Sequence, residues 1–102
     1  MKDKEIEHAI QTKGLNAPRV SLAELEANIA HVEILKHVTH SGSILRWAII
    51  TTQNGFNVTG RPSAAVSVEN DNQEIGEKVA YDNAKAELWP LMGYELKSRL
   101  AE

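Results

Sequence analysis

The 102-residue chain contains no cysteine. That excludes disulfides, thiolate metal ligands and a cysteine nucleophile, and it suits a reducing cytosol. Aromatic residues are also scarce: one Phe, two Trp and two Tyr. So few rings are expected in the core before they are expected to stack bases. No apolar run approaches the roughly 20 residues that a bilayer span needs. Met1-Lys2-Asp3-Lys4-Glu5 leads into no apolar stretch, so it does not read as a signal peptide. Neither sign of charge dominates. Eleven Lys and Arg against 14 Asp and Glu leave a formal charge of -3. That balance argues against a dedicated nucleic-acid binder, although a local basic patch stays open.

What is present is ordinary for a globular protein. Hydrophobic residues make up 42% and charged residues 25%. The length fits one domain, 1–102, with enough chain for one core.

Asp3 to Lys13 reads as a short helix with Ile6, Ala9 and Ile10 on its apolar face and Gly14 as its stop. Asn16-Ala17-Pro18-Arg19 reads as a loop. Ser21 opens a second helix, 21–30. Ser21 and Glu24 form a capping box, and Val20 and Leu25 occupy the staple positions. Strands are expected at 32–39, 44–52 and 56–60. The middle one, Ile44 to Thr52, is apolar on both faces and so should lie centrally. Asn54-Gly55 signals a type I′ hairpin between the last two. Trp47 and Phe56 are expected in the core. Ala64 to Ser67 reads as a connector.

A long helix, 69–101, closes the chain, with Ser67 or Asp71 as its cap. Ile75, Asp82, Trp89 and Leu96 recur every seven residues, with Val79, Ala86, Gly93 and Leu100 four behind. This is the pattern of one apolar seam. Pro90 should kink the helix. The fold class is α+β: a three-stranded antiparallel meander packed against a long kinked C-terminal helix and N-terminal helices. Asp82 interrupts the seam, and a lone buried carboxylate there is costly unless paired. It is therefore turned to the edge, paired within the chain with Arg46 as a candidate, or met by a second subunit. Small Ala86 and Gly93, flanking Trp89, would let another helix approach. A homo-oligomer, most simply a two-fold dimer, is the favoured expectation beside a monomer.

Several stretches then stop being generic. Asn54 to Gly60, Ser67 to Asn70, Glu74-Ile75-Gly76 and Trp89 to Leu96 resemble a family of small proteins of tailed phages and prophages. It is named after a gene forty-nine and a gene sixty-six. Pro18 and Glu26 to Ile29 are similar to that family's N-terminal part. The resemblance covers most of the chain. It departs between Ala30 and Ser43, where many members carry a longer insert, and at Val68, where proline is usual. The family has no established activity. The resemblance therefore implies a phage origin and a location in the host cytoplasm, and no catalytic residues.

The candidate chemistry is thin. His31, His37 and His40 lie close in sequence, which would suit a metal, but solvated surface histidines account for them better. Ser41, Ser43, Ser63 and Ser67 sit where turns and caps want serine, and none lies in a Gly-x-Ser-x-Gly elbow. Glu5/Glu7 and Glu24/Glu26 read as solvated helix faces. The stretch Gly60 to Asn70 is the most suggestive, because helix N-termini favour anions. Arg61, with Arg46, Ser63 and Ser67, would line such a site, and Tyr81 would offer an exposed ring. Against it, Glu69, Asp71 and Glu74 already complement the helix dipole and would repel phosphate.

The expected function is that of a non-catalytic binding module in the host cytoplasm, a host-takeover or counter-defence inhibitor. Two other classes stay open: an oligomeric sponge for a nucleotide signal, and a structural or assembly protein. The expected partners are a second copy of the chain and either a host protein or a small anionic nucleotide. No cofactor and no membrane partner is expected.

Overall fold

The computed structural model describes residues 2–15 and 17–102. Asn16, part of the expected loop, lies outside them. The elements run α1 (Asp3–Thr12), α2 (Leu22–Ala27), β1 (Ile29–Val38), β2 (Ile44–Thr52), β3 (Asn57–Thr59), β4 (Ser63–Ala64), a 3₁₀ turn (Val68–Asn70), α3 (Gln73–Ala86) and α4 (Leu88–Leu100). The class is α+β, an antiparallel sheet with N-terminal helices and a long C-terminal helix bent by 21°.

β2 is the centre of the sheet. It pairs with β1 along its whole length, Ile29↔Thr52 to Val38↔Ile44. On its other side β3 and β4 follow one another, Ile50↔Val58 and then Arg46↔Ser63. So part of the expected connector is a fourth strand. Two residues are too few to show the alternation that marks a strand.

The two hairpins share one connection. Thr39 N–H bonds Ser43 O at 2.8 Å and Gly42 N–H bonds Thr39 O at 2.9 Å. Thr52 N–H bonds Phe56 O and Gly55 N–H bonds Thr52 O at the same distances. Gly42 and Gly55 have φ of 91° and 88°, and no non-glycine residue described has positive φ. The Asn54-Gly55 turn is therefore not type I′, which needs two such residues. It is the longer connection in which a left-handed glycine follows the turn. Phe56 is consequently part of the loop and 54% exposed rather than in the core.

Arg46, Ala48, Ile50 and Thr52 of β2 point to the buried face, and α3 packs on it. The core is Leu25, Ala48, Ile50, Ala80, Ala84 and Leu88, with Val32, Ile34 and Val58 packed against it. Trp47 points the other way, half-buried on the face of the sheet that α3 does not cover, so the expected core position is corrected.

The helix seam is corrected too. Gly76, Ala80, Ala84 and Leu88 face the sheet, while Ile75 is 64% exposed and Val79 is exposed beside it. Small residues won the inner face because they let α3 lie close to the strands. A Cβ at Gly60 would come within 2.4 Å of the Asn83 backbone. Asp82 is on the outside, 2.7 Å from Lys78 one turn back. Ala86 and Gly93 are exposed and Trp89 is half-buried against the core. Asn72, not Ser67 or Asp71, caps α3: its Oδ1 accepts from Ile75 N–H at 2.9 Å. The bend falls at Glu87, between α3 and α4, because Pro90 cannot donate to the Ala86 carbonyl and its ring crowds it.

α2 begins as its cap residues require. Ser21 Oγ accepts from Glu24 N–H at 3.1 Å, and Glu24 accepts from the Ser21 hydroxyl at 3.3 Å. It stops at Ala27 and β1 starts at Ile29, because Gln53 N–H takes the Asn28 carbonyl at 3.0 Å. α1 is tied to this corner through one carboxylate. Glu7 receives a two-pronged bond from Arg19 at 2.7 and 3.0 Å and the Leu22 N–H at 3.1 Å. These bonds, Arg19's first, hold its pKa at about 2 instead of 4.5. A lowered carboxylate pKa contributes stability above pH 4.5 that is lost as pH falls toward 2. The melting temperature should therefore fall across that window. Glu7→Gln should start lower at neutral pH and fall less steeply, which pH-dependent thermal melts will read.

Candidate functional site

Three features of the molecule bear on function. The first is a groove of about 860 Å³ between α4 and the end of the sheet. The turn after β2 supplies Gln53, Asn54 and Phe56 to one wall, and α2 and its C-cap add Glu24 and Asn28. Leu91, Tyr94, Glu95, Ser98 and Arg99 of α4 form the other. The groove exists because α4 leaves the sheet at the bend and only its inner side returns to the core. Leu88 is fully buried, and Trp89 and Met92 pack beside it. Tyr94 is 77% exposed, and Arg99 is held by Glu95 at 2.6 Å. Glu95 thereby raises the Arg99 pKa. The groove offers apolar and aromatic surface with a polar rim.

The second feature is the start of α3. Arg46 is buried and gives a two-pronged bond to Asp71, at 2.6 and 3.0 Å. The guanidinium holds the Asp71 carboxyl below the ordinary carboxylate range against the opposing effect of burial. Ser63 Oγ, beside Arg46 in the sheet, is buried without a hydrogen-bond partner among the described residues. A cavity of about 100 Å³ adjoins them. Gly76 belongs to the same contact: a Cβ there would meet the Arg46 side chain at 2.8 Å and Ser63 Oγ at 3.4 Å.

The third is the outer face of the sheet. Leu45, Trp47 and Ile49 of β2 and Leu35 of β1 line it, with His31, Glu33 and His37 along β1. Leu35 is 50% exposed. None of these four belongs to the core cluster that α3 and α4 share with the sheet.

The residues expected around an anion are not all brought together. Arg46 and Ser63 are neighbours, but Asp71 has taken the guanidinium. Arg61 lies in the turn between β3 and β4, where its carbonyl accepts from Asn83 Nδ2 of α3 at 3.0 Å. Ser67 is exposed ahead of the 3₁₀ turn. Tyr81 is half-buried on α3, with Lys78 and Lys85 Nζ 5.8 and 5.9 Å from its ring centre. Those are weak cation–π contacts that use its face within the chain. His31 and His37 do share a face of β1. Among the described residues no three His, Asp or Glu side chains group around a common point, and no helix is long and apolar enough to cross a membrane. Sequence reasoning missed the groove. Its only signal was Leu91 and Tyr94, apolar residues off the expected seam.

The family model of the phage N4 Gp49/phage Sf6 gene 66 proteins matches residues 20–100. The chain belongs to that phage protein family. The match includes every strand, α2, α3 and α4, and so all three surfaces above. α1 lies before it, as does Pro18 of the original resemblance. No curated protein and no solved structure matches the chain.

Proposed function

We propose that this member of the phage family is a non-catalytic accessory protein that binds a host protein in the cytoplasm of the infected cell, as a host-takeover or counter-defence inhibitor. The observation that carries this reading is the outer face of the sheet. Leu35, Leu45, Trp47 and Ile49 make an apolar centre, and Glu33, His31, His37 and Thr51 make a polar rim. That is the anatomy of a protein-binding patch, with a tryptophan at its middle. The -3 charge suits a protein partner better than a nucleic acid.

The test is a pull-down from host lysate with the wild type and with Leu35→Glu, followed by calorimetry with the purified candidate. One host protein retained by the wild type and lost by Leu35→Glu is the expected result. Retention of the same proteins by both overturns the reading. The nucleotide-sponge alternative has less support, because Asp71 occupies Arg46 and Arg61 stands apart. A melting temperature that rises with micromolar nucleotide would favour it instead. A stable assembly that retains no host protein would favour the structural role.

A further inference from the structure

α4 has more apolar surface than its own chain uses. Leu88, Trp89, Met92 and Leu96 face inward, yet Leu91, Tyr94 and Leu100 point outward. One side of α4 is covered by the core, and the side toward the groove carries Leu91 and Tyr94 among Glu95, Ser98 and Arg99, an apolar centre with a polar surround.

The size of the exposed surface agrees. A compact monomer of 11.3 kDa exposes about 5,700 Å². This chain exposes 7353 Å², about 1,600 Å² more. A standard protein interface buries about 800 Å² on each partner, and permanent dimers bury more. The radius of gyration is 16.3 Å where a compact chain of this length has about 13 Å. The excess is therefore of the size a permanent dimer removes.

We infer that the groove between α4 and the Gln53–Phe56 turn is filled by α4 of a second copy of this chain. The arrangement is two-fold. Each α4 lies in the other's groove, so that Leu91 and Tyr94 of one protomer bury against Phe56 of its partner. A two-fold interface uses the same patch on both copies, and this groove carries both the donating helix and the receiving wall. The self-interface is separate from the outer sheet face and does not rest on the host-protein reading.

Light scattering after size exclusion, at two well-separated concentrations, tests it. The wild type should run at twice the 11.3 kDa chain mass or a multiple of that. Leu91→Glu/Tyr94→Glu should halve the mass with an unchanged far-UV spectrum, and Leu35→Glu should leave the mass alone. A wild type of single-chain mass at both concentrations overturns the inference. So does a double variant that keeps the wild-type mass, or dissociation by Leu35→Glu in its place. Spin labels give a second measurement that needs no disruption, since an introduced cysteine is the sole thiol. Tyr94→Cys labels should lie closer across the assembly than Leu35→Cys labels, and the reverse order overturns the inference.

Discussion

Leu88→Ala should destabilise the protein by about 2–5 kcal/mol, the range for emptying a fully buried leucine site. Leu88 has no exposed surface and is the first residue of α4. It therefore holds the bend between the two C-terminal helices against the sheet. Its neighbours in the core are largely small or fixed by strands, Ala80, Ala84 and Ile50. They cannot swing in to fill the space. A domain of this size has only about 5–15 kcal/mol of stability in all, so the variant should melt far below the wild type. The companion is Ile75→Ala. Ile75 stands on the expected seam but is mostly exposed, so its truncation should stay within about 0.5 kcal/mol. Urea melts of both variants decide which helix face is buried. Equal losses would restore the seven-residue seam.

Gly60→Val should cost about 3 kcal/mol, the upper end of ordinary overpacking, or more. The reason is a collision of backbones. A Cβ at Gly60 would sit 2.4 Å from both the carbonyl carbon and oxygen of Asn83 and 2.6 Å from Ala84 N. A flexible side chain can turn aside, but the wall of a helix cannot. α3 would have to lift from the sheet at the point where Ala80 and Ala84 rest on Ala48 and Ile50. Loss of near-UV signal with the melting temperature would show that lift. Gly60→Val melting with the wild type would mean that α3 sits further out than described.

The antiparallel meander and the long bent helix were legible because their signals are local. β2 is a run of β-branched and aromatic residues, and Pro90 marks the bend within a turn. The face of α3 was not legible. A seven-residue template counts large apolar side chains, and here the inner stripe is built of Gly76, Ala80 and Ala84. Their value lies in distance of approach, which no hydrophobicity pattern records. Asp71 shows the same limit at the candidate anion site. Its repulsion of phosphate could be read from the sequence, but not that it reaches across 25 positions to Arg46. Phe56 was misplaced because a turn one residue longer than type I′ carries it out of the strand.

β1 ends the sheet on one side, and among the described residues no strand lies beside its outward backbone groups over ten residues. Such an edge is a template for uncontrolled aggregation. The chain guards it by means other than coverage. The ladder breaks register between Ile29 and His31, which disturbs one end of the edge. Glu33 and Lys36 put opposite charges on its two faces in the middle, both exposed. A strand arriving from another molecule would have to desolvate one or the other. Glu33, Lys36 and this one irregularity are therefore the features that oppose fibril-like pairing along β1, the longest of the described strands.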